Sequence, residues 1–215
     1  MITCKIEKKY GDRTVLQVNR SFEEGKIYVV IGGNGSGKST FISALGGLIP
    51  FTGEITDVKN PVCMPQTTYN FDFGVKRNVL LFVGKKETEK RQKAEKMLQE
   101  IGLAPLEKKN ARTLSGGEGQ KTALLRTLLQ KSDVLLLDEP TSSMDVTSTL
   151  IAEKLIKDYQ QETGCTLFLV THSVAQAERM NGEILFFDAG QLIESGKSIT
   201  QSPSSPQLQT YLQNR

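Results

Sequence analysis

The chain alternates between short, continuous apolar runs and longer segments of mixed polarity. The apolar runs have the length and composition of strands that are buried on both faces, and the segments between them favour helices. The apolar runs cover residues 27–31, 134–137 and 165–170, and the helical segments cover residues 38–48, 115–130 and 147–162. Buried strands that alternate with helices in this way predict an α/β fold around a parallel sheet.

Further strand-like segments lie near both ends of the chain. They cover residues 2–8, 14–22, 52–58, 61–64, 184–187 and 191–194. Gly11-Asp12 supplies a turn between the first two segments, and Ala189-Gly190 supplies the turn of a hairpin between the last two. We therefore expect an antiparallel β part beside the parallel sheet.

The pattern changes after about Asn70, where helical segments replace strands. Residues 75–83 and 87–101 are predicted helices, and the apolar residues of the second are spaced three and four apart among Lys and Glu. Ser115 is placed as the N-cap of the helix that follows. This central stretch, from about residue 70 to 130, is therefore predominantly helical.

Composition and charge narrow the range of functions. A chain of 215 residues with a net charge of +3 is long enough for one domain with an inserted subdomain, and it is too weakly basic to indicate a nucleic-acid partner. No apolar run approaches the ~18 residues that a membrane-spanning helix needs, and the N-terminus lacks the apolar core of a signal peptide. Three scattered cysteines and one histidine argue against a zinc site and suit a reducing cytosol.

Candidate chemistry is strongest directly after the first buried strand, where residues 32–40 read Gly-Gly-Asn-Gly-Ser-Gly-Lys-Ser-Thr. This is the Walker A spacing of a phosphate-binding loop. Its backbone N–H groups and the following helix N-terminus attract phosphate, Lys38 adds a full charge, and the Ser39 hydroxyl can hold Mg²⁺. The predicted nucleotide-binding residues here are Gly32, Gly33, Asn34, Gly35, Ser36, Gly37, Lys38, Ser39 and Thr40.

A second candidate site ends the apolar run Val134–Leu137, which continues into Asp138, Glu139 and Pro140. The carboxyl end of a parallel strand is where such sheets place ligand-binding residues. We predict that Asp138 holds Mg²⁺ and that Glu139 faces a water beyond the terminal phosphate.

The third motif reads Leu-Ser-Gly-Gly-Glu over residues 114–118. By itself it would be only a cap and a turn. Together with the two other motifs, it makes the chain resemble the ATPase subunit of ATP-binding-cassette (ABC) systems over nearly its whole length. In that family this signature closes over the ATP held by the partner subunit, so the resemblance implies that Ser115, Gly116 and Gly117 contact nucleotide.

The resemblance extends to four further residues. It implies that Tyr10 stacks on adenine, that Gln66 links metal and water to the helical part, that Asp145 reaches across a dimer, and that His172 senses the terminal phosphate. Tyr10 could instead be an ordinary residue at a strand end, Gln66 a loop residue with no role, and Asp145 a simple helix cap. A lone histidine is usually structural, but His172 follows a buried strand at the edge where phosphates would lie.

The chain also departs from the family pattern. The family often has Arg or Gln where this chain has Gly119, and glycine near a helix start costs roughly 1 kcal/mol relative to alanine. Lys121 stands where Arg is frequent, and Gly33 stands where Pro is frequent. None of these changes removes a predicted phosphate contact.

The fold implied by the resemblance is that of a P-loop NTPase. A RecA-like core would carry the phosphate-binding loop, an antiparallel β subdomain would supply Tyr10, and a helical subdomain of about residues 70–130 would be inserted, all within a single ABC ATPase domain over residues 1–215. The implied activity is Mg²⁺-dependent ATP hydrolysis by a homodimer that closes when ATP binds. Glu139 would act as the base or the water-polarising group.

The leading functional interpretation is the energising subunit of a membrane transporter, working through separate polytopic permease subunits at the inner face of the cell membrane. The chain end resembles that of small-solute importers, which favours import and adds an extracytoplasmic solute-binding protein as a partner. That tail could equally be packing alone. The alternative is a non-transport ABC ATPase that regulates division machinery or assembles a metal cluster.

The predicted contact with a permease lies between Gln66 and about Val83. Its apolar contacts are predicted to be Tyr69, Phe71, Phe73 and Val79. The three aromatic side chains could instead form the core of the helical part.

Overall fold

The computed structural model describes residues 1–214, and within them nine strands form one sheet. In chain order the strands are β1 (Ile2–Tyr10), β2 (Arg13–Phe22), β3 (Ile27–Gly32), β4 (Thr52–Thr56), β5 (Pro61–Met64), β6 (Val134–Asp138), β7 (Thr166–Val170), β8 (Glu183–Asp188) and β9 (Gln191–Gly196). Their spatial order is β4-β1-β2-β9-β8-β3-β7-β6-β5.

The predicted parallel sheet is confirmed. Strand β3 pairs in parallel with both β7 and β8, and β6 pairs in parallel with β7. Every residue of β6 and β7 is buried, which explains why both strands read as continuous apolar runs. The antiparallel part is also present, because β1 pairs with β2 and β4, and β8 forms a hairpin with β9.

Seven α-helices occur within the described residues. They are α1 (Lys38–Leu45), α2 (Val75–Val79), α3 (Thr88–Glu100), α4 (Gly116–Leu128), α5 (Val146–Thr163), α6 (Val174–Arg179) and α7 (Pro206–Gln213). The sequence did not predict α6. No helix in residues 1–214 combines the length and apolar character needed to cross a membrane.

The chain divides into two compact units. The first comprises Met1–Cys63, Ser132–Glu139 and the chain from Gly164 onward, and it holds nearly all of the sheet with α1, α6 and α7. Its core contains a cluster of four aromatic rings. The Phe168 ring lies 5.0 Å from that of Tyr28, 5.1 Å from that of Phe22 and 5.9 Å from that of Phe41, measured between centroids.

The second unit comprises Met64–Lys131 and Pro140–Thr163 and is helical, with α2 to α5 and two short 3-10 helices at Ala104–Leu106 and Ala111–Thr113. The predicted helical stretch of about residues 70–130 lies inside it. Its assignment as an inserted subdomain stays a prediction.

The helix predicted over residues 75–83 is shorter than expected. Leu80 N–H makes the last helical bond, to the Lys76 carbonyl, and the N–H groups of Leu81 and Val83 bond to carbonyls only three residues back. The chain therefore leaves α2 in tight turns, and Leu81 and Phe82 become exposed.

We expect Phe168→Ala to lower the free energy of unfolding by about 3–5 kcal/mol, because the ring is fully buried and its loss leaves a cavity among three aromatic neighbours. Urea denaturation measures the change. The matched control is Phe82→Ala, since Phe82 is 57% exposed. Equal effects of the two substitutions would contradict the assignment of this cluster as the core.

Candidate functional site

The phosphate-binding loop connects β3 to α1, as its sequence predicts. Gly37 is the residue before the helix, and Lys38 is the first helical residue. The Lys38 side chain is buried, and its ammonium donates to the carbonyls of Gly32 at 3.0 Å and Gly33 at 2.8 Å. These bonds place a positive charge beside the loop, where it would neutralise the negative charge of a bound phosphate.

Gly32 cannot be replaced without moving the backbone. A Cβ atom at this position would lie 2.2 Å from the Phe187 carbonyl oxygen and 2.7 Å from Ser36 Oγ. Ser36 Oγ is buried and has no hydrogen-bond partner within the described residues. An unsatisfied buried hydroxyl is costly unless a ligand completes it, so this atom fits a loop that closes on an anion.

Asp138 ends β6, and it accepts a hydrogen bond from the Ser39 hydroxyl at the start of α1. Its other feature is an unsatisfied oxygen: Oδ1 is buried and has no partner within residues 1–214. Burial raises the pKa of the Asp138 carboxyl, and the negative charge of Glu139 adds to that, while the Ser39 bond and the Lys38 charge oppose it.

The oxygen atoms of Ser39 and Asp138 fit a hard cation such as Mg²⁺. Magnesium is usually held by one or two protein oxygens, with phosphate and water completing its shell. A dedicated protein cage is not present, because the described residues contain no group of three or more His, Cys, Asp or Glu side chains able to hold a metal ion.

Glu139 has a strained backbone that turns its side chain toward His172. Its φ is 51°, in the left-handed region, and its N–H donates to the Val170 carbonyl at 3.1 Å. Glu139 Oε1 lies 2.5 Å from His172 Nε2, and the Glu139 side chain is only 10% exposed. Strain of this kind is retained where the surrounding structure holds it, often at functional sites. The structure therefore brings these two predicted catalytic residues together.

Tyr10 lies at the end of β1 and is 60% exposed. The Lys8 ammonium sits 4.8 Å from the ring centroid. An exposed ring with one open face can stack on a base, so the adenine-binding role stays a prediction.

The remaining predicted site residues belong to the second unit. Ser115 caps α4: its Oγ accepts from Glu118 N–H at 3.3 Å, and its own N–H donates to Glu118 Oε2 at 2.9 Å. The N-cap predicted from the sequence is confirmed. The backbone bond from Ser115 lowers the Glu118 pKa. Gly116 and Gly117 follow as the first helical residues, and the Ser115 hydroxyl still has a proton to donate.

Asp145 also acts as a helix cap. It accepts from Ser148 N–H at 2.8 Å and from the Ser148 hydroxyl at 2.7 Å, and these bonds lower its pKa. The alternative interpretation of Asp145 as a cap is therefore confirmed, and its role across a dimer stays a prediction. Gln66 lies in the exposed loop after β5.

One residue of this region was missed by the sequence analysis. Gln120 is buried in α4, its Nε2 donates to Ser142 Oγ at 3.0 Å, and its Oε1 accepts from Ser143 N–H at 2.9 Å. It joins the signature helix to the segment that leads to Asp145. A glutamine in a helix carries no local signal of such a bond, so only its position two residues after the motif could have indicated it.

A family model described as "ABC transporter" matches residues 15–142. A tungstate uptake system ATP-binding protein of Peptoclostridium acidaminophilum, TupC, is 36% identical, covering 88% of this chain and 95% of that protein. The arginine transport ATP-binding protein ArtM of Bacillus subtilis is 33% identical, covering 97% of both.

Solved structures agree in fold. An ATP-binding subunit of an ABC transporter superimposes with a TM-score of 0.84 at 20% identity, covering 99% of this chain and 98% of that chain. A bacterial ABC transporter cassette solved as a dimer has a TM-score of 0.79 at 25% identity, covering 92% of this chain and 98% of its own. The predicted P-loop NTPase fold is confirmed.

We expect Asp138→Asn to raise the thermal midpoint of the nucleotide-free protein at neutral pH. Because the folded pKa of Asp138 lies above its unfolded value, the ionised carboxylate costs stability, and the neutral amide removes that cost. The gain should shrink as the pH falls through the folded pKa and disappear below the unfolded pKa. Thermal unfolding across acidic and neutral pH measures it.

The control for this prediction is Asp12→Asn in the exposed turn between β1 and β2, for which no comparable gain is expected. A loss of stability in Asp138→Asn at neutral pH would contradict the interpretation of Asp138 as a carboxylate held ready for a cation.

Proposed function

The chain belongs to the ABC transporter family of ATP-binding proteins, and on that premise we propose that it hydrolyses ATP with Mg²⁺ to energise solute uptake through separate membrane subunits. The observation that carries the proposal is the 36% identity to a tungstate uptake ATP-binding protein over 88% of this chain. Its tungstate and arginine relatives differ in solute, and what they share is ATP-dependent transport.

The first unit supplies the groups that would bind the phosphates. Lys38 and the loop amides would neutralise phosphate charge, and the unsatisfied Ser36 hydroxyl would find a partner there. Ser39 and Asp138 would hold Mg²⁺, which when bound spreads the charge that develops on the phosphate oxygens. Tyr10 would stack on the adenine.

The same unit supplies the hydrolytic pair. Glu139, anchored by His172 at 2.5 Å, would orient and polarise the attacking water or accept its proton. His172 would in turn be sensitive to the terminal phosphate, and Gln66 would carry that signal within the second unit. Phosphoryl transfer depends on positioning and charge stabilisation, so a rigid Glu139 is what the reaction needs.

The second unit supplies groups for a partner's nucleotide. Ser115, Gly116 and Gly117 present a helix N-terminus and one hydroxyl, which attract an anion. They would contact ATP on another copy of the chain, and Asp145 would lie at the same dimer interface. A 25%-identical cassette solved as a dimer supports a homodimer with two equivalent sites.

A membrane subunit would contact the second unit at a groove of about 700 Å³. Leu80, Leu81 and Val83 contribute apolar surface to this groove, and the side chains of Lys76, Arg77, Lys85, Arg91 and Lys108 contribute positive charge. Glu107 also lines the groove and pairs with Lys76, but the basic side chains outnumber it, so the groove complements a short permease helix that has acidic residues. Such docking would keep the chain at the inner face of the membrane, and a solute-binding protein would act on the far side.

The predicted permease contacts need one correction. Val79 is completely buried inside the second unit, so it cannot contact a partner. Tyr69 is 64% exposed and remains a candidate, and Phe82, at 57% exposed, lies beside the groove residues in sequence and was missed. Phe71 and Phe73 stack on each other with centroids 5.6 Å apart and are partly buried.

We expect Glu139→Gln to bind ATP normally but to lose turnover by at least about 100-fold, because the amide keeps an oxygen toward His172 and loses the basic carboxylate. With ATP, this variant should accumulate as a dimer in light scattering, and with ADP it should stay monomeric. Adding Ser115→Arg should prevent the dimer by placing bulk and charge in the shared site.

Lys38→Ala is the matched comparison, since it should weaken nucleotide binding itself. Near wild-type hydrolysis by Glu139→Gln would refute the catalytic assignment. A stable ATP dimer of Glu139→Gln/Ser115→Arg would refute the role of the signature in the partner's site.

Direction of transport can be tested in liposomes that contain the membrane subunits recovered with this protein. We expect a solute-binding protein outside to raise ATP hydrolysis inside, and labelled tungstate and arginine serve as the first solutes tested for uptake. Glu139→Gln liposomes are the control and should accumulate nothing. Solute movement out of the ATP-containing compartment, with hydrolysis indifferent to the binding protein, would indicate an exporter instead.

A further inference from the structure

Asn70 makes a direct hydrogen bond to the helix that begins at the signature. Its Nδ2 donates to the Gly119 carbonyl at 3.2 Å. A carbonyl can only accept, so the bond settles which end of the Asn70 amide faces the helix. Gly119 is buried, and its own N–H donates to the Ser115 carbonyl at 2.8 Å. Asn70 therefore holds the residue that closes the first turn after Ser115.

This contact exists because position 119 has no side chain. A Cβ atom there would lie 2.8 Å from Asn70 Nδ2, closer than such atoms approach each other. The displaced group would be the end of a flexible side chain, so an alanine could be accommodated by swinging the Asn70 amide away. The cost of a side chain at position 119 would then be the loss of this one hydrogen bond.

A second hydrogen bond joins the loop that contains Asn70 to α4, farther along the helix. Arg126 donates from Nη2 to the Tyr69 carbonyl at 2.7 Å, and its guanidinium lies 5.5 Å from the Phe71 ring centroid. Asn78, fully buried in α2, accepts from Phe71 N–H at 2.9 Å and donates to the Phe71 carbonyl at 3.1 Å. Residues 69–71 are thus bonded to α4 at two points and to α2 at a third.

We propose that Asn70 and Gly119 form a positioning pair that makes the loop after Gln66 and the first turn of the signature helix move together. The pair acts through Ser115, whose carbonyl accepts from Gly119 N–H at 2.8 Å. The proposal rests on the proposed function, in which Ser115 meets the partner's ATP. Without the pair, Arg126 would still hold the loop at the far part of α4, and the first turn would be free to shift relative to Gln66.

The expected consequence is a defect in dimer closure without a defect in nucleotide binding. The experiment uses Glu139→Gln as the background and titrates ATP while light scattering follows the dimer. Asn70→Ala and Gly119→Ala should each raise the ATP concentration for half-maximal dimer formation by about fivefold, as expected for one lost hydrogen bond. Because both remove the same bond, the double variant should be no worse than either single variant.

Three further measurements distinguish a positioning role of the pair from a general loss of folding or nucleotide binding. ADP affinity of the monomer should stay within about twofold of the background, since ADP needs only the first unit. The thermal midpoint of Gly119→Ala should not fall, because alanine favours helix over glycine. Gln130→Ala is the matched control. Gln130 lies just after α4, and the substitution removes its amide-to-carbonyl bond to Arg126, which does not join α4 to residues 69–71. Dimer formation should be unchanged.

The possible results distinguish failure of the Asn70–Gly119 pair from failure of the proposed function. Dimer formation at background ATP concentrations in Asn70→Ala or in Gly119→Ala would overturn the pair, as would additive effects in the double variant or a parallel loss of ADP affinity. If Ser115→Arg prevents the dimer while Asn70→Ala shifts nothing, only the positioning pair fails. If Ser115→Arg leaves the dimer intact, the proposed function fails and removes the basis of the pair. If Asn70→Ala does not fold, Gly119→Ala carries the test.

Discussion

Parallel pairing of β3, β6 and β7 is the constraint on which the nucleotide-binding chemistry of the first unit depends. Val170 is the register partner of both Val30 in β3 and Asp138 in β6. All three strands therefore end at the same edge of the sheet. Gly32, Glu139 and His172 lie within two residues of those partners, so a single row of backbone pairing brings the phosphate-binding loop, the two acids and the histidine together.

This arrangement works against stability at several atoms. Within the described part of the chain, Asp138 has a buried oxygen and Ser36 a buried hydroxyl without a hydrogen-bond partner, and Glu139 adopts a left-handed backbone conformation. Each of these features lowers the free energy of unfolding, so a unit that served only to fold would be more stable without them. The aromatic cluster around Phe168 and the fully buried strands supply the apolar burial that offsets these costs.

The second unit is organised around α4. The N-terminal cap of this helix is reciprocal, with Ser115 and Glu118 bonded to each other. Gln120 joins the part of α4 just after its first turn to the segment that leads to Asp145, and Arg126 joins its far part to Tyr69. In this unit the bonds that stabilise the helix end and the bonds that join loops to the helix are made by different residues of α4 and its N-cap. Structural capping and a role toward nucleotide are therefore compatible, as Ser115 illustrates.

The sequence by itself determined the continuous apolar strands β3, β6 and β7, the position of the glycine-rich loop after β3, the two acids at the end of β6 and the Ser115 cap. These features depend on local chemistry: an apolar run long enough to be buried, glycines at fixed spacing, and a hydroxyl before a helix. The tertiary structure alone decided that α2 stops at Val79, that Val79 is buried while Phe82 is exposed, and that Asn70 reaches Gly119. Those outcomes depend on which surfaces pack together and on a space left by a missing Cβ, and neither is encoded in the spacing of neighbouring residues.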